Sequence, residues 1–210
     1  MPRNPDARVR AMEPTELPHI IDLFTRAFIN DPTMCYYGHV PALVQDPAHP
    51  TSSEEKTIRD LHAFWAFMVK IPQLLGGNID VVVIPSINGS AEKSQGSAST
   101  EEIVAAALWL PPGTTLDFTL SMALRGGFHK VAFAWGFTGL KVCSNLTVIT
   151  NQCLRITRSM QQRLVDFNPA VEKTLTREFK SRNMDRLDTW HAWAIAVEPG
   201  HQGFGRTPLL

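Results

Sequence analysis

Cysteine is scarce in this chain. The 210 residues contain only Cys35, Cys143 and Cys153, an odd number in a chain without an export signal. This argues against a disulfide scaffold, so we expect three buried thiols. The seven histidines and three cysteines form no Cys-x-x-Cys or His-x-x-x-His spacing. We therefore expect no metal site.

Excess charge of either sign is also lacking. Lysine plus arginine and aspartate plus glutamate number 20 each, so the formal net charge is zero. Long-range attraction of a polyanion requires a basic surface or stripe, and the composition provides no excess of positive charge for one. We therefore expect no nucleic-acid partner.

Long apolar runs are missing as well. The longest uncharged stretches, residues 103–116 and 142–154, are shorter than the roughly 18 apolar residues that a membrane-spanning helix requires. Arginines and acidic residues interrupt the N-terminal segment before any apolar run, unlike a secretory signal. The expectation is a cytoplasmic protein that binds no membrane.

The apolar content of 44% over 210 residues is sufficient for one domain, which we expect to span residues 1–210. A short extended segment at residues 9–12 precedes a helix predicted over residues 17–28 by its apolar spacing. Residues 31–50 hold several prolines and predict an irregular connection. A second helix is predicted from about 53 to 75, ended or kinked by Pro72. Its inward residues are predicted to be Leu61, Phe64, Trp65, Met68 and Leu75.

The rest of the chain alternates apolar and glycine-rich segments. Residues 79–84 and 103–110 predict two strands that pair as a hairpin, with a flexible insertion over about 85–102 between them. Residues 114–180 predict three or four helices interrupted by glycines. Residues 189–197 predict a final apolar strand, so the overall class is α/β with a mixed sheet.

A glycine-rich turn follows that last strand. The order is Ala196-Val197, the turn signal Glu198-Pro199-Gly200, and then Gln202-Gly203-Phe204-Gly205-Arg206-Thr207. Glycines in such a turn permit positive φ and expose backbone N–H groups at the start of a helix. This geometry suits a pyrophosphate.

The run from Ala196 to Gly205 resembles the signature of the GNAT acyl-CoA N-acyltransferases, in which an apolar strand leads into proline and then into glutamine-glycine-x-glycine. Thr207 departs from the pattern, because glycine or alanine is usual there. In the family, main-chain groups at the end of the strand hold pantetheine, and the turn holds the pyrophosphate of acetyl-CoA. The resemblance implies Ile195, Ala196 and Val197 for the first role, and Gln202, Gly203, Phe204, Gly205, Arg206 and Thr207 for the second.

The order of predicted elements is similar to that family too: strand, helix, helix, hairpin and then the signature strand. The resemblance implies transfer of an acetyl group from acetyl-CoA to the primary amine of a small molecule or peptide, directly within a ternary complex. The family continues beyond the signature with further strands and a helix that carries a tyrosine acid. Because this chain ends at Leu210, we expect those elements to be missing from it.

Direct acyl transfer needs a base that takes the proton of the amine. His191 on the strand and Glu198 at its end are the nearby candidates. Each also has a plainer interpretation, because a histidine on an apolar strand is often a hydrogen-bonded core residue and a glutamate in a turn is often solvated.

Other interpretations of the terminal segment stay open. Residues 200–207 fit a nucleotide-binding P-loop only if Arg206 replaces the required lysine, and arginine is not a neutral replacement. The segment also fits a plain core strand followed by a turn. A further alternative is a catalytically inactive acetyltransferase-like chain that binds a partner or lacks function.

Overall fold

A single antiparallel sheet organises the described part of the chain. The computed structural model describes residues 7–37, 40, 43–85, 101–114, 120–131, 134 and 173–203. Within these ranges, four strands pair in chain order, each antiparallel to the next. They are β1 (Arg8–Ala11), β2 (Asn78–Pro85), β3 (Glu101–Leu110) and β4 (His191–Val197). The sheet and its helices confirm the predicted α/β class.

Helices α1 (Leu17–Ala27) and α3 (Ser52–Met68) agree with the predicted helical regions. A capping box begins α3, because Thr51 N–H donates to Glu54 Oε2 over 2.7 Å while the Thr51 side chain accepts from the Glu54 backbone. The remaining helices are α2 (Pro32–Tyr37), α4 (Lys70–Leu74) and α5 (Leu120–Gly126), and residues 173–181 are also helical.

Helix α2 corrects the expectation of an irregular connection after residue 31. The carboxylate oxygen Oδ1 of Asp31 accepts hydrogen bonds from the N–H groups of Thr33 (2.9 Å) and Met34 (3.0 Å). Pro32 occupies the first helical position, where its missing N–H leaves no bond unmade. The prolines from residue 31 onward predict an irregular connection, but Asp31-Pro32 begins a helix.

Pro72 interrupts the second predicted helix earlier than expected. Helix α3 ends at Met68, and α4 begins after Val69. Pro72 thereby falls within the first turn of α4, where it clashes with no preceding carbonyl. Of the residues predicted to face inward, Leu61, Phe64 and Trp65 are buried, whereas Met68 and Leu75 are partly buried and pack against the core.

The β2–β3 hairpin confirms the predicted pairing and corrects the bounds of the insertion. Pro85 pairs with Glu101, and Glu102 pairs with Ile84, so the strands extend into the segment predicted as flexible. The rest of that insertion, residues 86–100, lies outside the described residues. Much of the region predicted as several helices, residues 114–180, lies outside them too, apart from α5 and the helical residues from 173 onward.

The main core lies between the sheet and helices α1 and α3. Phe24 is fully buried, and its ring centroid lies 4.7 Å from that of Trp65, which in turn lies 4.8 Å from Phe28. Full burial of one large apolar side chain contributes roughly 1.5–3 kcal/mol. Ile20 and Leu23 are also fully buried, so α1 is anchored along its whole inner face. None of the helices among the described residues has both the length and the apolar character that a membrane span requires.

An ion pair joins β1 to the start of α1. Arg10 donates from Nη1 to Glu16 Oε2 over 2.8 Å and from Nη2 to Glu16 Oε1 over 2.5 Å. These hydrogen bonds lower the pKa of the Glu16 carboxyl from its ordinary 4.5. A lowered folded-state pKa stabilises the fold above pH 4.5, and this stabilisation is lost as the pH falls through the lowered value.

We predict that Glu16→Gln lowers the free energy of unfolding by about 1 kcal/mol at pH 7, and that the difference from wild type shrinks below pH 4.5. Urea unfolding at pH 7 and below pH 4.5 measures it. Glu178→Gln is the control, because Glu178 pairs with Arg177 on the exposed surface. If the free energy of unfolding of Glu16→Gln stays below that of wild type by the same amount at every pH, the prediction is contradicted.

Candidate functional site

Among the described residues, β4 pairs with another strand, β3, along one of its two edges. Glu198 N–H donates to the Val104 carbonyl oxygen over 2.9 Å, which marks this position as hydrogen-bonded to β3. In an antiparallel ladder the hydrogen-bonded positions alternate, so Ala196 also faces β3, opposite Ala106. The backbone groups of Ile195 and Val197 therefore point away from β3. No described strand pairs with that outer edge.

A bulge divides β4 into two halves. Leu108 lies opposite Ala194, whereas Trp109 lies opposite Ala192, so Trp193 is an extra residue on β4. Trp193 and Ala194 both pack against the main core. The shift in register brings His191 opposite Leu110, which is a core residue.

The turn after β4 has the shape that its sequence predicts up to Gly203. Residues Pro199–His201 make one short 3₁₀ turn, closed by His201 N–H donating to the Glu198 carbonyl oxygen over 2.7 Å. Gln202 returns to extended backbone. Gly203 has a φ of 80°, in the left-handed region where a Cβ is unfavourable. The strand is thus followed directly by a short turn.

The side chain of Gln202 folds back onto β4. Its Nε2 donates to the Val197 carbonyl oxygen over 3.2 Å. That oxygen is on the outer edge of β4, so Gln202 satisfies one of the groups that β3 leaves free. The outer-edge N–H groups of Ile195 and Val197, and the Ile195 carbonyl, stay without a partner strand in the part of the chain that the structure describes.

Glu198 contacts helix α1. Arg26, in the last turn of α1, donates from Nε to Glu198 Oε1 over 2.9 Å and from Nη2 to Oε2 over 2.7 Å. This side-chain hydrogen bond raises the pKa of Arg26. Both carboxylate oxygens of the sequence-predicted base candidate are therefore engaged by a guanidinium.

His191 lies at the other end of β4. Its Nδ1 lies 2.8 Å from the Thr189 carbonyl oxygen, which selects the tautomer with the proton on Nδ1. Nε2 then carries the lone pair, and it is buried with no hydrogen-bond partner among the described residues. Six steps along β3 separate Leu110, opposite His191, from Val104, which bonds to Glu198, so at about 3.4 Å per residue the two candidates are roughly 20 Å apart. The structure does not bring the two candidates together.

A second contact between polar side chains flanks the turn. His201 Nε2 lies 3.7 Å from Glu102 Oε1, near the start of β3. Neither Arg26 nor Glu102 was predicted as a site residue, because no local spacing in the sequence relates either residue to the turn. The other predicted site residues, Phe204, Gly205, Arg206 and Thr207, lie outside the described residues, as do Cys143 and Cys153. Within the described ranges no cluster of three metal-ligating side chains occurs.

Comparisons with known proteins are sparse. No family model matches the chain, and no curated protein matches it. Among solved structures, the chain is similar to one described as histone acetyltransferase HPA2 and related acetyltransferase from Corynebacterium glutamicum. The two are 16% identical, the match covers 97% of this chain and 67% of that one, and the TM-score is 0.47.

We predict that Gly203→Ala lowers the free energy of unfolding by about 1–2 kcal/mol, because alanine is strained at a φ of 80°. Urea unfolding measures this. Gly203→Asn should cost less, since asparagine tolerates the left-handed region. Gly200→Ala is the matched control, because an added Cβ meets nothing within 4 Å at either glycine, whereas the φ of Gly200 lies outside the left-handed region. Equal losses at both glycines would contradict the prediction.

Proposed function

We propose that this chain is an acyl-CoA-dependent N-acyltransferase of the GNAT type, and that acetyl-CoA is its co-substrate. One observation carries the proposal: the outer edge of β4 leads directly into the turn that contains Gly203. The extended pantetheine arm of acetyl-CoA hydrogen-bonds to the backbone groups of Ile195 and Val197 that point away from β3. A pyrophosphate then lies against the N–H groups from Gln202 to Thr207.

The two segments suit the two chemically different parts of acetyl-CoA. Pantetheine carries amide groups that pair with a strand edge as another strand would. Pyrophosphate is a dianion that accepts hydrogen bonds from consecutive backbone N–H groups. In this proposal Ala196 supports its neighbours instead of binding pantetheine itself, because its backbone faces β3.

The proposed reaction is direct transfer to a primary amine of a small molecule or peptide. The neutral amine nitrogen attacks the thioester carbonyl carbon, so a C–N bond forms while the C–S bond breaks and coenzyme A leaves as thiolate. The amine proton passes to a base. An outward N–H of β4, from Ile195 or Val197, stabilises the carbonyl oxygen as it becomes negative.

His191 is the proposed base. Its Nδ1 is held by Thr189, and its Nε2 carries a lone pair without a described partner. The two oxygens of Glu198 already accept hydrogen bonds from Arg26, so we give Glu198 a lesser part in the proton transfer.

Acetyl-CoA binding is the first prediction of the proposal. At a concentration one hundred times its Kd, acetyl-CoA should raise the melting temperature by about 5–10 °C in a thermal-shift experiment. Pantetheine alone and adenosine diphosphate alone should each shift it less, because each covers only one of the two segments. A cooperative melt that acetyl-CoA leaves unchanged would overturn the proposal.

Removal of the base is the second prediction. His191→Gln should lower kcat for acetyl transfer about 100-fold or more and change the Kd of acetyl-CoA little. Thiol release from acetyl-CoA with a panel of amines measures it. His62→Gln is the control, since His62 lies on the exposed side of α3. If Glu198→Gln causes this loss of kcat and His191→Gln does not, Glu198 is the base.

A catalytically inactive chain that binds acetyl-CoA is the second candidate function. It is favoured by the burial of His191 Nε2 and by the engagement of Glu198 with Arg26, which leave neither base candidate open at the surface. Saturable acetyl-CoA binding without thiol release for any amine would select this function over the first.

A further inference from the structure

We infer that Arg26 is a positioning residue that acts through Glu198 on the turn at residues 199–203, to which the proposed function assigns acyl-CoA binding. This inference rests on the proposed function for its ligand. Arg26 lies 172 residues before Glu198, yet its guanidinium meets the carboxylate side by side with contacts of 2.9 and 2.7 Å. Such a two-point contact fixes direction as well as distance.

Glu198 is held from three directions. Its N–H donates to Val104 of β3, its carboxylate accepts from Arg26 of α1, and its carbonyl oxygen accepts from His201 within the turn. Because residues 199–203 continue directly from Glu198, their position follows from the position of this one residue. The end of α1 thus determines where the turn lies relative to the outer edge of β4.

The pair is not needed to hold α1 in place. Ile20, Leu23 and Phe24 are fully buried and anchor the helix through its apolar face. The Arg26 side chain is 43% exposed and that of Glu198 is 23% exposed. Loss of the pair therefore acts mainly on the turn and only weakly on the global fold.

The test compares Arg26→Gln, Glu198→Gln and the double variant in the full chain. Each single variant should weaken acetyl-CoA binding roughly fivefold, as expected for an ion pair worth about 1 kcal/mol. The double variant should bind acetyl-CoA no more weakly than either single variant, because the two residues act as a unit. Arg26→Lys should rescue only part of the loss, since lysine lacks the two-point contact.

His62→Gln provides the matched control. It breaks the 3.2 Å contact between His62 and Asp22, which also joins α1 to a neighbouring element but lies away from the turn. Its Kd for acetyl-CoA should equal that of wild type.

Amide hydrogen exchange of residues 198–203 in the ligand-free protein provides a second readout that does not depend on acetyl-CoA. Exchange should be roughly fivefold faster in Arg26→Gln and unchanged in His62→Gln. If wild type binds no acetyl-CoA, the proposed function fails, and hydrogen exchange alone decides whether Arg26 positions the turn. Unchanged exchange in Arg26→Gln would overturn the inference, and so would fully additive losses of binding in the double variant.

Discussion

The packing of α1 against α3 and the sheet is the constraint on which the rest of the described structure depends. The rings of Phe24, Phe28 and Trp65 join the two helices, and the fully buried inner face of α1 leaves the helix no freedom to rotate. The polar end of the same helix then presents Arg26 to the end of β4. One helix therefore contributes both to the core and to the candidate site, which makes the geometry of the site a product of core packing.

The candidate site is built mainly from main-chain groups. The alternation of the β3–β4 ladder turns the N–H and C=O groups of every second residue outward, whatever side chains the strand carries. Side-chain identity matters in the turn after β4. The Gln202 side chain donates to the Val197 carbonyl oxygen, and Gly203, which has no side chain, permits the left-handed conformation. A binding surface of this kind recognises a ligand by the spacing of its polar groups more than by its shape.

The features that the sequence predicts correctly are those encoded by local periodicity. Helix α1 follows from its apolar spacing, β2 from its β-branched run, and the turn after β4 from its proline and glycines. The prediction of an irregular connection from residue 31 onward was wrong, because proline is also favoured at the first position of a helix, and the capping bonds of Asp31 begin α2 there. The contact between Arg26 and Glu198 was invisible, because residues 172 positions apart share no pattern in a single sequence.

The bulge at Trp193 interrupts the alternation of side chains between the two faces of the sheet along β4. Because a strand alternates its faces with every residue, the extra residue resets which side His191 occupies relative to Val197. A deletion of Trp193 would restore one-to-one pairing with β3 and leave His191 opposite Leu110, on the face that it already occupies, while the turn after Val197 kept its orientation. Insertions and deletions in the first half of the strand are thus decoupled from the glycine turn, so the two halves of the candidate site are free to diverge in length independently.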